Sequence, residues 1–110
     1  MANYTYKVLA QAAAPAMIEI DLYRVPLLTQ TVVSTLVCCN RGGATATFRF
    51  SVAIGGAIAS NKDYIYYDVA IAEHETFAST IGLTLNTNDV IRVYASNADL
   101  SFSAFGSEYV

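Results

Sequence analysis

The sequence predicts an all-β protein: a single-domain antiparallel β-sandwich of about eight strands, jelly-roll or immunoglobulin-like in strand order. Three observations predict it. Apolar and polar residues alternate through Ile18-Glu19-Ile20-Asp21-Leu22-Tyr23, through Phe48-Arg49-Phe50-Ser51-Val52-Ala53-Ile54 and through Leu100-Ser101-Phe102-Ser103-Ala104. Period two is the pattern of strands that lay one face on a core. Clusters of Gly, Asn and Asp fall between the runs at roughly 10–14-residue intervals, as in a sandwich. No window sustains a helical period.

The expected strands follow in order. Tyr4–Ala10 opens the chain, and Ala12-Ala13-Ala14-Pro15-Ala16 then reads as a loop, because Pro15 and the short length disfavour a helix. Met17–Val25 carries the first clear alternation. Val32–Asn40 is apolar on both faces, which suits a central strand or one covered by a partner. Asn40-Arg41-Gly42-Gly43 turns the chain into Thr45–Ile54, with Phe48 and Phe50 on the core face. Gly55-Gly56 and Ser60-Asn61-Lys62-Asp63 lead to Tyr64–Ile71, where Ile65, Tyr67, Val69 and Ile71 read as core and Tyr64 and Tyr66 as outward. Phe77–Leu85, Val90–Ala95 and Leu100–Phe105 complete the set, separated by Asn86-Thr87-Asn88-Asp89 and Ser96-Asn97-Ala98-Asp99. At 110 residues the whole chain, 1–110, forms one domain with a core large enough to fold without staples.

Composition narrows the function. Hydrophobic residues make up 55% and charged residues only 14%, which excludes intrinsic disorder. Net charge is −3, and the six cations are scattered from Lys7 to Arg92, so no basic face exists for a nucleic acid. Eight Ser, ten Thr and eight Tyr stand where Lys and Glu usually cover a surface. Tyr enrichment and charge depletion mark protein interfaces. No segment has the apolar length of a membrane span, and the N-terminal residues lack the pattern of a secretory signal.

The chemistry of an enzyme is missing from the pattern. His74 is the only histidine; it lies between Glu73 and Glu75 in a turn, with no second His to complete a zinc site. No nucleophile elbow, phosphate loop or dinucleotide glycine pattern occurs. Glu19 and Asp21 share the polar face of one strand, without an insertion that would form a sugar cleft around them. Asn86, Asn88 and Asp89 lack the spacing of an EF-hand loop. Cys38 and Cys39 are adjacent, so a strand points them to opposite faces; they read as two packing thiols, neither disulfide nor metal ligand. The expectation is a non-enzyme without cofactor, catalytic residue, metal or small-molecule substrate.

The tyrosines carry more. Tyr4 and Tyr6 lie on one face of the first strand, and Tyr64 and Tyr66 on one face of a later one. Aromatic side chains that point outward supply contact area at little entropic cost. Leu27 and Leu28 follow Pro26 where a polar turn is expected, which favours a contact over a solvated loop. Tyr4, Tyr6, Leu27, Leu28, Tyr64 and Tyr66 are therefore the candidate interface residues.

Several runs support a resemblance: Tyr6-Lys7-Val8-Leu9, Leu22-Tyr23-Arg24-Val25-Pro26, Val33-Ser34-Thr35-Leu36-Val37, Cys39-Asn40-Arg41-Gly42, and Asp99 through Glu108. With Tyr64-to-Asp68 and Asp89-to-Ser96 included, the chain resembles a family of small virion proteins of tailed bacteriophages, especially those of cyanobacteria. The resemblance implies a virion structural protein, foremost a capsid decoration (cement) protein on the outside of the capsid, made in the host cytoplasm. Its partners would be copies of itself, as a homo-oligomer with a trimer favoured, and the phage major capsid protein; no nucleic acid and no membrane is expected. A tail, neck or fibre component is the alternative. A glycan-binding sandwich is the more remote one, resting on Tyr64, Tyr66 and Asp68.

Overall fold

The computed structural model describes residues 3–110. Eight strands account for the regular structure: β1 (Tyr4–Ala13), β2 (Ile20–Arg24), β3 (Gln30–Asn40), β4 (Ala46–Ala53), β5 (Tyr64–Ile71), β6 (Thr76–Leu85), β7 (Val90–Ala95) and β8 (Leu100–Tyr109). Two single turns of 3-10 helix, Ile54–Gly56 and Asn61–Asp63, lie between β4 and β5. The strands form two four-stranded sheets, in the orders β1-β8-β3-β6 and β2-β7-β4-β5, with all pairings antiparallel.

This order decides between the two expected topologies. β1 pairs with β8, β2 with β7, β3 with β6 and β4 with β5. The chain is thus one long hairpin, rolled so that successive pairs alternate between sheets. That is the eight-stranded jelly roll, not the immunoglobulin arrangement. Rolling brings the two ends of the chain together: Asn3 and Val110 exchange backbone hydrogen bonds, each 3.0 Å.

The core lies between the sheets. Phe48 and Phe50 of β4 and Phe102 of β8 are fully buried. Phe50 and Phe102 meet edge to face with ring centroids 5.4 Å apart, and Phe48 tilts against Phe77 at 5.0 Å. Each such ring removed from water stabilises the fold by about 2–3 kcal/mol. Leu36, Val33, Ile91, Val93 and Leu100 fill the remaining space. One buried polar group closes an end of the core. The Asn40 amide donates to the carbonyls of Ala44 (2.8 Å), Ile71 and Ala72 (3.2 Å each), and its oxygen accepts the Gly42 N–H (2.9 Å). A residue expected to end a strand and begin a turn therefore also joins the β3–β4 and β5–β6 turns.

Local irregularities set which side chains face outward. In β5 Asp68 adopts a left-handed φ of 50°. Three residues of β5 span Val69 to Tyr66 where two of β4 span Phe48 to Phe50, so β5 carries a bulge. The bulge reverses the expected facing of Ile65, Tyr66 and Tyr67, and a second register shift between Phe50 and Ser51 returns Tyr64 to the outward side it was expected on. Tyr66 turns inward, against Phe50 and Phe77, with its hydroxyl 2.6 Å from Ser79 Oγ. Ile65 and Tyr67, expected in the core, are exposed, whereas Val69 and Ile71 pack inward as expected.

The remaining differences are at strand ends. β1 continues through Ala12 and Ala13, expected in a loop, because both residues pair with β8. Met17 has a left-handed φ of 59°, so β2 begins only at Ile20. β8 runs on to Tyr109 because β1 and β3 flank it along its length.

Candidate assembly surfaces

The two sheets divide the charge between them. The strands of β1-β8-β3-β6 contain only two charged residues, Lys7 and Glu108. Both belong to the inner side. Lys7 Nζ lies 2.8 Å from Glu108 Oε1, and the second carboxylate oxygen accepts the hydroxyl of Tyr23 from the opposite sheet. Burial by itself would raise the Glu108 carboxyl. The Lys7 ammonium and the Tyr23 hydroxyl outweigh it and hold the carboxyl below its usual range. The Tyr23 hydroxyl is pushed up in turn, first by burial and then by its bond to Glu108.

The register then fixes the outer face of this sheet. Tyr4 stands opposite Tyr109, Tyr6 opposite Ser107 and Val8 opposite Phe105. Across β8, Val32 aligns with Ser107, Thr35 with Phe105, Val37 with Ser103 and Cys39 with Ser101. Across β3, Thr84, Thr80, Ala78 and Thr76 of β6 complete the rows. No charged side chain lies on this face. Tyr4 is 67% exposed, Tyr6 84%, Val8 49% and Val32 45%. A shallow groove opens at one end, lined by Tyr4, Tyr109, Gln30, Val32 and Thr84 of the sheet and by Asn86 and Asp89 of the β6–β7 loop.

The outer face of β2-β7-β4-β5 is different. It bears Asp21, Arg24, Arg49, Asp68 and Arg92 among its aromatics. Arg49 lies between the rings of Tyr67 and Tyr94, 4.2 and 4.3 Å from their centroids, and pairs with Asp68 at 2.6 Å. The Asp68 hydrogen bond is the main reason the guanidinium is held even more firmly protonated than usual. Arg92 pairs with Asp21 at 3.0 Å and donates to the carbonyls of Gly56 and Ala57. These charges are consumed within the face.

The six candidate interface residues therefore do not form one site. Tyr4 and Tyr6 share the uncharged face. Leu27 and Leu28 project from the β2–β3 loop, 74% and 88% exposed. Tyr64 is half-buried on the other sheet, with its hydroxyl 3.2 Å from Glu19 Oε2 and its ring against Tyr67. Burial and the neighbouring Glu19 carboxylate raise its hydroxyl. Tyr66 is a core residue. The sugar platform of Tyr64, Tyr66 and Asp68 is not assembled, since Tyr66 faces inward and Asp68 is paired with Arg49.

Sequence reasoning missed Val8, Phe105, Tyr109, Ile54 and Ile58 as surface residues. The signal was present as absence: the segments that become β3 and β6 hold no charge at all. Elsewhere, His74 occupies the β5–β6 turn with a left-handed φ of 55°, and no group of three or more metal-ligating side chains occurs among the described residues. Cys38 is buried in the core and Cys39 is half-buried on the outer side; both thiols are free. Burial, then the adjacent Cys39, pushes the Cys38 thiol up to about 12.

No protein-family model matches the chain, and no curated protein matches it either. Solved structures do. A chain from the infectious bursal disease virus Gx strain superposes with a TM-score of 0.57 at 12% identity, over 99% of this chain and 32% of that one. The VP2 subviral particle of the same virus gives 0.56 at 13%, over 98% and 32%. This chain thus spans about a third of the length of those viral chains. A chain in the acid-stable capsid of Helicobacter pylori bacteriophage KHP30 gives 0.55 at 16% identity, over 100% of this chain and 94% of that one. At these identities the likeness is one of fold: the jelly roll is of the kind found in viral capsid structures, in one case as nearly an entire chain.

Proposed function

We propose that this chain is a non-enzymatic structural subunit of a bacteriophage virion, a capsid decoration protein on the outer surface of the shell. The observation that carries the reading is the uncharged outer face of β1-β8-β3-β6, set with Tyr4, Tyr6, Val8 and Val32. A free monomer gains nothing from a whole sheet face without charge, whereas an assembly that buries it avoids desolvating ions. The jelly-roll likeness to a phage capsid chain of nearly the same extent supports the same reading. The uncharged face joins copies of the subunit, as a trimer about a local threefold axis of the shell. Contacts of modest strength suffice, because many act together on one particle.

Substitution Tyr6→Asp tests the reading. Tyr6 is 84% exposed, so the fold should melt within about 0.5 kcal/mol of the parent. Burying the new charge should abolish self-association in light scattering and remove the chain from particles in a virion reconstruction. Wild-type chain located on the tail, neck or fibres would move the role to that part of the virion. A parent that is monomeric and absent from particles would overturn the proposal.

A further inference from the structure

β6 ends its sheet. β3 is its only strand partner, so the backbone N–H and C=O groups along its other side meet no strand. Phe77, Ile81 and Leu83 face the core yet stay half-buried, because the sheet stops there. An open strand edge is a template for another strand, and proteins guard theirs with charge, proline, bulges or brevity.

The other three edges are guarded. β2 has 5 residues, Asp21 and Arg24 among them, and shifts register between Asp21 and Tyr23. β5 is broken by the bulge at Asp68. β1 bears Lys7 and shifts register between Val8 and Ala10. β6 is guarded only in its second half, where Gly82, at a φ of 66°, marks its register shift against β3. Its first half, Thr76-Phe77-Ala78-Ser79-Thr80, runs in unbroken register with β3 and holds neither charge nor proline. Thr76, Ala78 and Thr80 are exposed on the outer face, and Phe77 and Ser79 turn inward.

We infer that this half-strand pairs edge to edge with the same half-strand of a second copy, antiparallel, about a dyad between the two Ala78 residues. Backbone geometry sets the register. The groups free to bond come from alternate residues, so two identical edges meet only with some residue opposite its own copy. Ala78 is the midpoint of the regular segment, and centring there pairs the whole of it. Thr76 then stands opposite Thr80 of the second copy, and Phe77 opposite Ser79 of the second copy. Threonine pairs are favourable across strands, and alanine is small enough to face its mate at about 5 Å. No like charges meet, because the two Glu75 carboxylates just outside the segment lie roughly 20 Å apart, beyond the screening length. A second copy is the occupant because its segment meets each demand of this edge: uncharged, free of proline, equal in length and in register. A dyad perpendicular to the sheet turns both outer faces the same way and leaves them open. The inference stands apart from the virion reading.

So short a pairing buries less than the roughly 1,200–2,000 Å² of a stable interface, so it is weak in free solution and gains strength where copies are held side by side. The Tyr6→Asp chain, which lacks the face contact, isolates it. Sedimentation equilibrium up to about 2 mM should show a monomer–dimer equilibrium with a Kd of about 1 mM. Amide hydrogen exchange should slow with concentration at Thr76–Thr80 alone. Ala78→Lys and Ala78→Asp, each added to that chain, set like charges about 5 Å apart and should each raise Kd about tenfold or more. Because Ala78 is exposed, both should melt close to the parent. An equimolar mixture of the two should dimerise at least as well as the chain with Ala78. A chain that is monomeric at about 2 mM leaves the edge to a strand of another protein and overturns the inference. A dimer that neither variant weakens, or a loss that the mixture does not restore, overturns it too. So does growth into filaments, because a dyad closes and only pairing with a different edge propagates. Each of these failures leaves the virion reading standing.

Discussion

Gly106 shows how closely strand backbones can approach in this fold. A β-carbon there would overlap the Val32 carbonyl oxygen, a backbone atom that cannot rotate away. Gly106→Ala should therefore cost about 2–4 kcal/mol in a denaturant melt. Gly43→Ala, with nothing nearby, should be close to neutral. Tyr66 and Tyr67 make a second contrast between neighbours. Tyr66→Phe removes the bond to Ser79 Oγ and should cost about 1 kcal/mol, and Tyr66→Ser about 3 kcal/mol or more through the cavity. Tyr67→Ser loses surface contacts with Arg49 and the Tyr64 ring and should cost about 1 kcal/mol. Glu108 gives a pH signature. Its carboxyl titrates below the ordinary glutamate value in the folded chain. Its contribution is complete above that ordinary value and is lost as pH falls through the lowered one. Between about pH 5 and about pH 3 the parent should lose more melting temperature than Glu108→Gln, whose amide oxygen still accepts from Tyr23.

At the scale of elements, period two was legible and its interruptions were not. β5 and β7 occupy the residues that alternation and turn chemistry assign to them. The inward faces of β4 and β8 follow the large apolar residues Phe48, Phe50, Leu100 and Phe102. The error lies in β5, where one extra residue at Asp68 exchanges the faces of Tyr66 and Tyr67. A bulge is a property of two strands in register, and neither sequence alone declares it. β3 shows the same effect. Its register shifts between Val33 and Thr35 against both neighbours, and Gly82 of β6 sits at the shift with a φ of 66°. Gly82→Ala meets no steric contact but must hold the left-handed conformation, and should cost about 1 kcal/mol in thermal melting. The exposure of Tyr4, Tyr6, Leu27 and Leu28 could be read from outward aromatic and misplaced apolar residues. The unity of the uncharged face could not, because it depends on four strands distant in sequence meeting in one sheet.

For the whole molecule, the segregation of charge predicts how assembly responds to solution conditions. An interface without ions has no counterion-dependent attraction to lose. Raising sodium chloride from about 0.1 M to about 1 M should leave the proposed oligomer intact or strengthen it in sedimentation velocity, as expected for apolar burial. Dissociation by salt would show that the copies meet instead through the Arg24, Arg49 and Arg92 face. The jelly-roll order also fixes folding behaviour. The β1–β8 pair joins residues from opposite ends of the chain, so this last pairing closes the longest loop and should form late.

The mutual backbone bonds of Asn3 and Val110 make the path of the chain almost a closed circuit. A short linker from Val110 to Asn3 would complete that circuit and allow it to be cut elsewhere. The exposed Gly43–Ala44 turn, at the opposite end of the sandwich, is a suitable place to cut. The permutant would carry its new termini at the end of the sandwich opposite Asn3 and Val110. A peptide fused there would project from that end, whereas the same peptide fused at Asn3 or Val110 would emerge at the end that carries the β2–β3 and β6–β7 loops.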